Sequence, residues 1–130
     1  MMRRDISLRS LLNDVGGISA VEFAIIAPVL LAFVVAILGY GQMLWTHNTL
    51  QYAVEQAVRC AVISPSTCGT STQIQNYAVS KAYGLTGLAA SVFTVGSASC
   101  GTTVSASLPY TILKPVPISV TLTAFSCRPT

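Results

Sequence analysis

Residues 23–45 read "FAIIAPVLLAFVVAILGYGQMLW" and contain no charged side chain. A helix needs roughly 20 such residues to cross a hydrocarbon core of about 30 Å. The rest of the chain agrees with a membrane reading. Charged residues make up 8% of the 130, and the mean hydropathy is +0.66. A soluble domain normally carries about a quarter charged residues, so a buried core helix is the weaker interpretation and a single membrane span is expected.

Working outward, Arg3, Arg4 and Arg9 lie before the span with Asp5 and Asp14, and Arg59 is the first arginine or lysine after it. The positive-inside bias therefore puts the N-terminus in the cytoplasm and the rest of the chain on the exported side. A secretory signal would be cut after small residues beyond its apolar region. Here "THNTLQYAVEQAVRCAVIS" follows, which continues as helix without such a site. A signal anchor remains, as does a cut placed before the apolar segment.

Just upstream, "GGISAVEFAIIAPVLL" (16–31) puts Glu22 fifth in a chain that would start at Ile18, with Phe23 directly after it. The segment resembles the prepilin peptidase site of the type IV pilin superfamily, and most of all the TadE-like pseudopilins of tight-adherence (Flp) pili. Gly17, Glu22, Phe23 and Pro28 carry the likeness, with weaker support from "LQYAVEQAVRCAV". The resemblance implies cleavage between Gly17 and Ile18. It also implies a minor pilin or pseudopilin that works with a prepilin peptidase, other pilin subunits and a pilus assembly platform in surface attachment and biofilm formation.

Physical chemistry gives Glu22 a reason to be there. A central acid in a membrane helix costs roughly 2.5 to 3.5 kcal/mol, and less near an interface, so it normally has a partner. Cleavage after Gly17 would supply the α-amine of Ile18, largely cationic at neutral pH. A neighbouring subunit's amine, the same chain's amine one helical turn away and the lipid headgroups are the competing partners. Elsewhere in the span, Ala20, Ala24 and Ala27, and then Ala32, Ala36 and Gly39, allow close helix approach. Pro28 removes one helical hydrogen bond and predicts a local kink or unwinding. Tyr40 and Trp45 suit the far interface.

Past His47 the pattern becomes one-sided. Leu50, Ala53, Val54, Ala57, Val58, Ala61 and Val62 recur at helical spacing, with Gln51, Glu55, Gln56 and Arg59 between them. Glu55 and Arg59 have the spacing of a helical ion pair. One helix from about Ile18 to Ile63 is expected, ended by Pro65. Thr70 and Gln73 fit a capping box for a second helix that Gly84 would close. "SVFTV", "TTVSASL" and "ISVTLTAF" read as strands, with "GSASCG" as a turn and Pro109, Pro115 and Pro117 bounding the last connection.

The expected class is α+β, with a long N-terminal transmembrane and amphipathic helix packed against a small exported domain of one short helix and a three-stranded antiparallel sheet. The divisions are a cytoplasmic leader at 1–17, a transmembrane half-helix at 18–46, an exported amphipathic half at 47–64 and a periplasmic domain at 65–130.

All four cysteines, Cys60, Cys68, Cys100 and Cys127, fall in the exported part, where an oxidising periplasm favours disulfides. Three complete pairings are possible and the sequence does not choose among them. The preferred set joins Cys60 to Cys68, tying the helix end to its turn, and Cys100 to Cys127, joining the last strand to the sheet. A metal site is disfavoured because there is no C-x-x-C and the one histidine, His47, adjoins the span.

Catalysis lacks components. After Gly17 the acidic side chains are Glu22 and Glu55, so carboxylate pairs and a Ser/His/Asp triad are missing. No enzyme activity and no cofactor are expected. A net charge of +3 with scattered Lys81, Lys114 and Arg128 gives no clustered nucleic-acid surface. Two classes remain: the filament component, and a single-pass anchored protein whose periplasmic domain binds a partner or ligand.

Overall fold

The computed structural model describes residues 16–112 and 118–129. The expected leader up to Val15 and the connection holding Lys114, Pro115 and Pro117 lie outside the described residues. Two compact units divide the chain between Leu38 and Gly39.

Helix α1 runs Gly16–Ile63 and contains Pro28, which does not interrupt it. In the first unit α1 is apolar all round and its large side chains are exposed on every face, Phe23 at 70% and Ile37 at 68%. The twelve large apolar residues from Val21 to Leu38 are 44–70% exposed. Leaving them in water would forfeit on the order of 10–20 kcal/mol of burial energy. That exceeds the net stability of a typical domain, about 5–15 kcal/mol, so this helix requires lipid or protein around it. By length and composition it is able to cross a membrane.

In the second unit α1 acquires the one-sided pattern. Leu50, Ala53, Val54, Ala57 and Val58 are fully buried and form one stripe of the core. The helix stops at Ile63 because the chain then reaches Pro65, which lies within a tight turn where Thr67 and Cys68 donate their amides to the Ser64 carbonyl. The Cys60–Cys68 disulfide, with Cα atoms 5.7 Å apart, holds that turn.

Helix α2, Ser71–Lys81, starts at a capping box. The Gln73 amide donates to Thr70 Oγ1 at 3.3 Å, and Gln73 Oε1 accepts from the Thr70 and Gly69 amides at 3.1 Å each. Three donors that a helix start leaves open thus find partners. The helix ends at Lys81, earlier than the Gly84 stop expected. Gly84 follows with φ +80°, in the left-handed region that favours glycine.

A single 3-10 turn, Ala90–Val92, leads into strands β1 (Phe93–Ala98), β2 (Gly101–Ile112) and β3 (Ile118–Arg128). They form an antiparallel meander in the order β1-β2-β3. This is the α+β arrangement expected, with longer strands. β1 extends into the "GSASCG" segment, leaving a tight turn at Cys100. Gly101 is required there, since it has φ +120° and an added Cβ would strike the Arg128 carbonyl. The Cys100–Cys127 disulfide closes the same end of the sheet.

Pro109 lies inside β2 opposite Thr121, where the start of the last connection was expected. Register explains this. Phe125 turns its backbone N–H and C=O away from β2, so Ser105–Phe125 is a non-hydrogen-bonded pair, and Pro109–Thr121 four residues on is the same type. The missing N–H of Pro109 would point toward β1, whose pairing with β2 has already ended at Ala106. No ladder bond is lost.

Alternation puts Val104 and Ala106 of β2, and Leu122 and Ala124 of β3, on the buried face, joined by Phe93 and by Ile74, Ala78 and Ala82. Ile118 and Val120 continue the pattern but stay exposed. Six of these core members are alanine: Ala53, Ala57, Ala78, Ala82, Ala106 and Ala124. The buried Thr46 hydroxyl donates to the Gln42 carbonyl at 3.0 Å.

Candidate functional site

The residues singled out from the sequence gather at the start of α1. Gly17 lies in its first turn, and a Cβ built there would meet nothing within 4 Å. Packing within the chain therefore does not demand a glycine, although glycine in a helix costs about 1 kcal/mol relative to alanine. Ile18 follows in the helix. Glu22, Phe23 and Pro28 are all exposed.

Helical periodicity aligns Glu22 with Val29, Phe33 and Ala36, at i+7, i+11 and i+14. Val29, Phe33 and Ala36, with Pro28 and Ala32, line a shallow apolar groove of about 430 Å³. The small side chains of Ala32 and Ala36 leave the hollow, and Glu22 stands on the same stripe toward the N-terminus. The arrangement offers a neighbouring apolar helix a surface for close packing and an acidic group at one end. Among the described residues no group of three or more His, Cys, Asp or Glu gathers to hold a metal ion.

Several interactions in the second unit were not visible in the sequence. The Gln51 amide lies along the outer edge of β3, where Nε2 donates to the Phe125 carbonyl at 3.1 Å and Oε1 accepts from the Phe125 amide at 3.4 Å. It acts as one rung of a missing strand. Gln75 Nε2 likewise donates to the Phe93 carbonyl at 2.7 Å. Glu55 accepts from Gln51 Nε2 at 3.3 Å, and no ion pair joins it to Arg59 among the described residues. An exposed helical pair is worth only about 0.3–0.5 kcal/mol, which local hydrogen bonding readily outcompetes.

Both disulfides lie in this unit. Cys68 is almost fully buried, whereas Cys100 is exposed. Elsewhere in the unit, Trp45, Asn48, Thr49, Tyr52 and Tyr83 line an open cleft of about 270 Å³. The Tyr52 and Tyr83 ring centroids are 6.4 Å apart. Lys81 is half-buried, with Nζ 5.1 Å from the Tyr77 ring centroid, and Tyr77 and then Tyr83 hold its ammonium pKa above the usual lysine value.

Comparison with known proteins bears on the helix alone. No curated protein and no solved structure gives a significant match to the chain. The family model described as TadE-like protein matches residues 17–59. That stretch holds Gly17, Glu22, the exposed apolar run and the buried stripe from Leu50 to Val58, and over it the chain is similar to TadE-like proteins.

Proposed function

We propose that the chain is a non-enzymatic minor pilin or pseudopilin of a Tad (Flp) pilus, made as a precursor in the inner membrane. The observation that carries this reading is the TadE-like match, which begins at Gly17 and runs along a helix too apolar to stand in water. Residues 1–17 are the cytoplasmic leader, removed by a prepilin peptidase between Gly17 and Ile18. Residues 18–46 cross the membrane once, with the N-terminus cytoplasmic. Residues 47–64 and the folded part at 65–130 are periplasmic, where the two disulfides form.

Glu22 is the docking group. Once the leader is gone, the Ile18 amine of one subunit pairs with Glu22 of a neighbour, while the apolar groove beside Pro28 receives that neighbour's helix. An ion pair of this kind sets axial register, because the surrounding apolar contacts are nearly indifferent to sliding. The freedom of space around Gly17 supports a role for that glycine in access by the peptidase, which needs a bare backbone. The finished filament serves surface adhesion and biofilm formation, assembled by platform proteins and partner pilins.

The test is intact-mass measurement of the protein from its native host membranes and from sheared pili. The expected species starts at Ile18. Protein that keeps residues 1–17 beside an active prepilin peptidase would make the chain a permanently anchored single-pass protein instead.

A further inference from the structure

The cleft lined by Trp45, Tyr52 and Tyr83 has no part in the function argued above. Trp45 ends the apolar run of 23–45 and is followed by the polar Thr46, His47 and Asn48, so on the span reading it marks the depth at which the helix meets headgroups. Trp45 is 64% exposed and Tyr83 60%, unusual for large rings in a unit with its own filled core. The two come from distant parts of the chain. After the Cys60–Cys68 turn the chain returns through α2, and a Cβ at Gly84 would lie 3.6 Å from Trp45 Nε1. Tyr83 is thus carried to the level of Trp45, and Lys81 stands beside it, interacting with Tyr77 and Tyr83.

We propose that the Trp45–Tyr83–Lys81 corner is a second membrane contact, which rests the folded unit on the headgroup layer of an anionic bilayer. Indole and phenol rings, apolar in body and polar at the tip, concentrate at that depth. A lysine close to an anionic leaflet adds attraction. The headgroup layer is roughly 5–7 Å thick on each side. Tyr52, seven residues and about 10 Å further along the helix, forms the upper wall, its Cβ tilted back toward the N-terminus and hence toward the lipid. The contact sits at the end of the span itself, so no separate partner has to be recruited. It rests on the reading of residues 23–45 as a membrane span, but not on cleavage or pilus assembly.

The full chain is reconstituted in vesicles of phosphatidylcholine with phosphatidylglycerol, including lipids that carry a quencher in the headgroup or high on the acyl chain. Trp45 is the single tryptophan, so the wild type reports on the span. Trp45→Phe combined with Tyr83→Trp moves the reporter to the corner. The expected result is blue-shifted emission and quenching by both lipids at position 83. In the same background Lys81→Gln should lower the docked-to-free ratio about fivefold, the effect of one lysine near an anionic surface, and only in vesicles containing phosphatidylglycerol. This second variant leaves every ring in place, so loss of fold does not confuse it. Water-like, unquenched emission at 83 with a quenched Trp45 would overturn the contact and leave the span standing. An unquenched wild-type Trp45 would remove the span and the contact together.

Discussion

Replacing the cysteine pairs separates two contributions that a simple loop-length argument merges. Cys60–Cys68 closes a separation of 8 residues and Cys100–Cys127 one of 27. Chain entropy alone assigns them about 2.6 and 3.6 kcal/mol, so with alanine at both ends the sheet-end pair should matter more, by about 1 kcal/mol. Serine changes the comparison at one site only. Position 68 is 2% exposed, and a hydroxyl left there without a partner costs about 1–3 kcal/mol. The Cys60→Ser/Cys68→Ser chain should then fall about 4–6 kcal/mol below wild type, level with or below Cys100→Ser/Cys127→Ser. At the exposed Cys100, serine and alanine should be nearly equivalent. Urea unfolding of the full chain in detergent micelles, followed through Trp45 beside Gly84, would measure all four. Equal stabilities for the serine and alanine versions of the Cys60–Cys68 pair would refute the reasoning, since the buried turn would then have to be open to water.

Glu22→Gln should insert, be cleaved after Gly17 and fold, yet lose filament incorporation, because a charge-assisted bond is roughly twice as strong as a neutral one; membrane and sheared-pilus fractions give the ratio, and normal incorporation would count against docking. Gln51→Ala removes both bonds to Phe125 and should cost about 1–2 kcal/mol, with faster hydrogen exchange at the Phe125 amide than at Ala124. Thr70→Ala breaks one half of the capping box and should cost about 1 kcal/mol, read as a lower urea midpoint with an unchanged slope.

Most of the architecture could be read because it rests on local signals. The switch from all-round to one-sided periodicity near His47 anticipates where α1 begins to bury a stripe, and Thr70 with Gln73 announces α2 three residues at a time. The strand cores were legible through alternation, but their ends were not. Pro109 looked like a boundary because the sequence does not reveal that β1 stops short and leaves that side of β2 without a neighbour. Gln51 read as one more polar helix position, since its partner lies 74 residues away. Tyr52, Tyr83 and Lys81 were invisible as a group for the same reason: only the return through α2 brings them to Trp45. At the start of α1 the position was reversed. Glu22 is conspicuous in the sequence because it interrupts an apolar run, whereas the folded chain adds only its alignment with the groove.

The long separation between Gln51 and Phe125 also imposes a timetable. Synthesis delivers Leu50, Val54 and Val58 early, and the faces that cover them, Leu122 and Ala124, near the end. α2 with its capping box, and the short loop from Cys60 to Cys68, need nothing from the last strand. Cys100 and Cys127 come into apposition only when β3 has joined the meander. Were Cys60 and Cys68 oxidised before Cys127 is in place, Cys100 would be left with a single unpaired candidate. Correct pairing then follows from the order in which the thiols become available, with the last strand acting as the clasp.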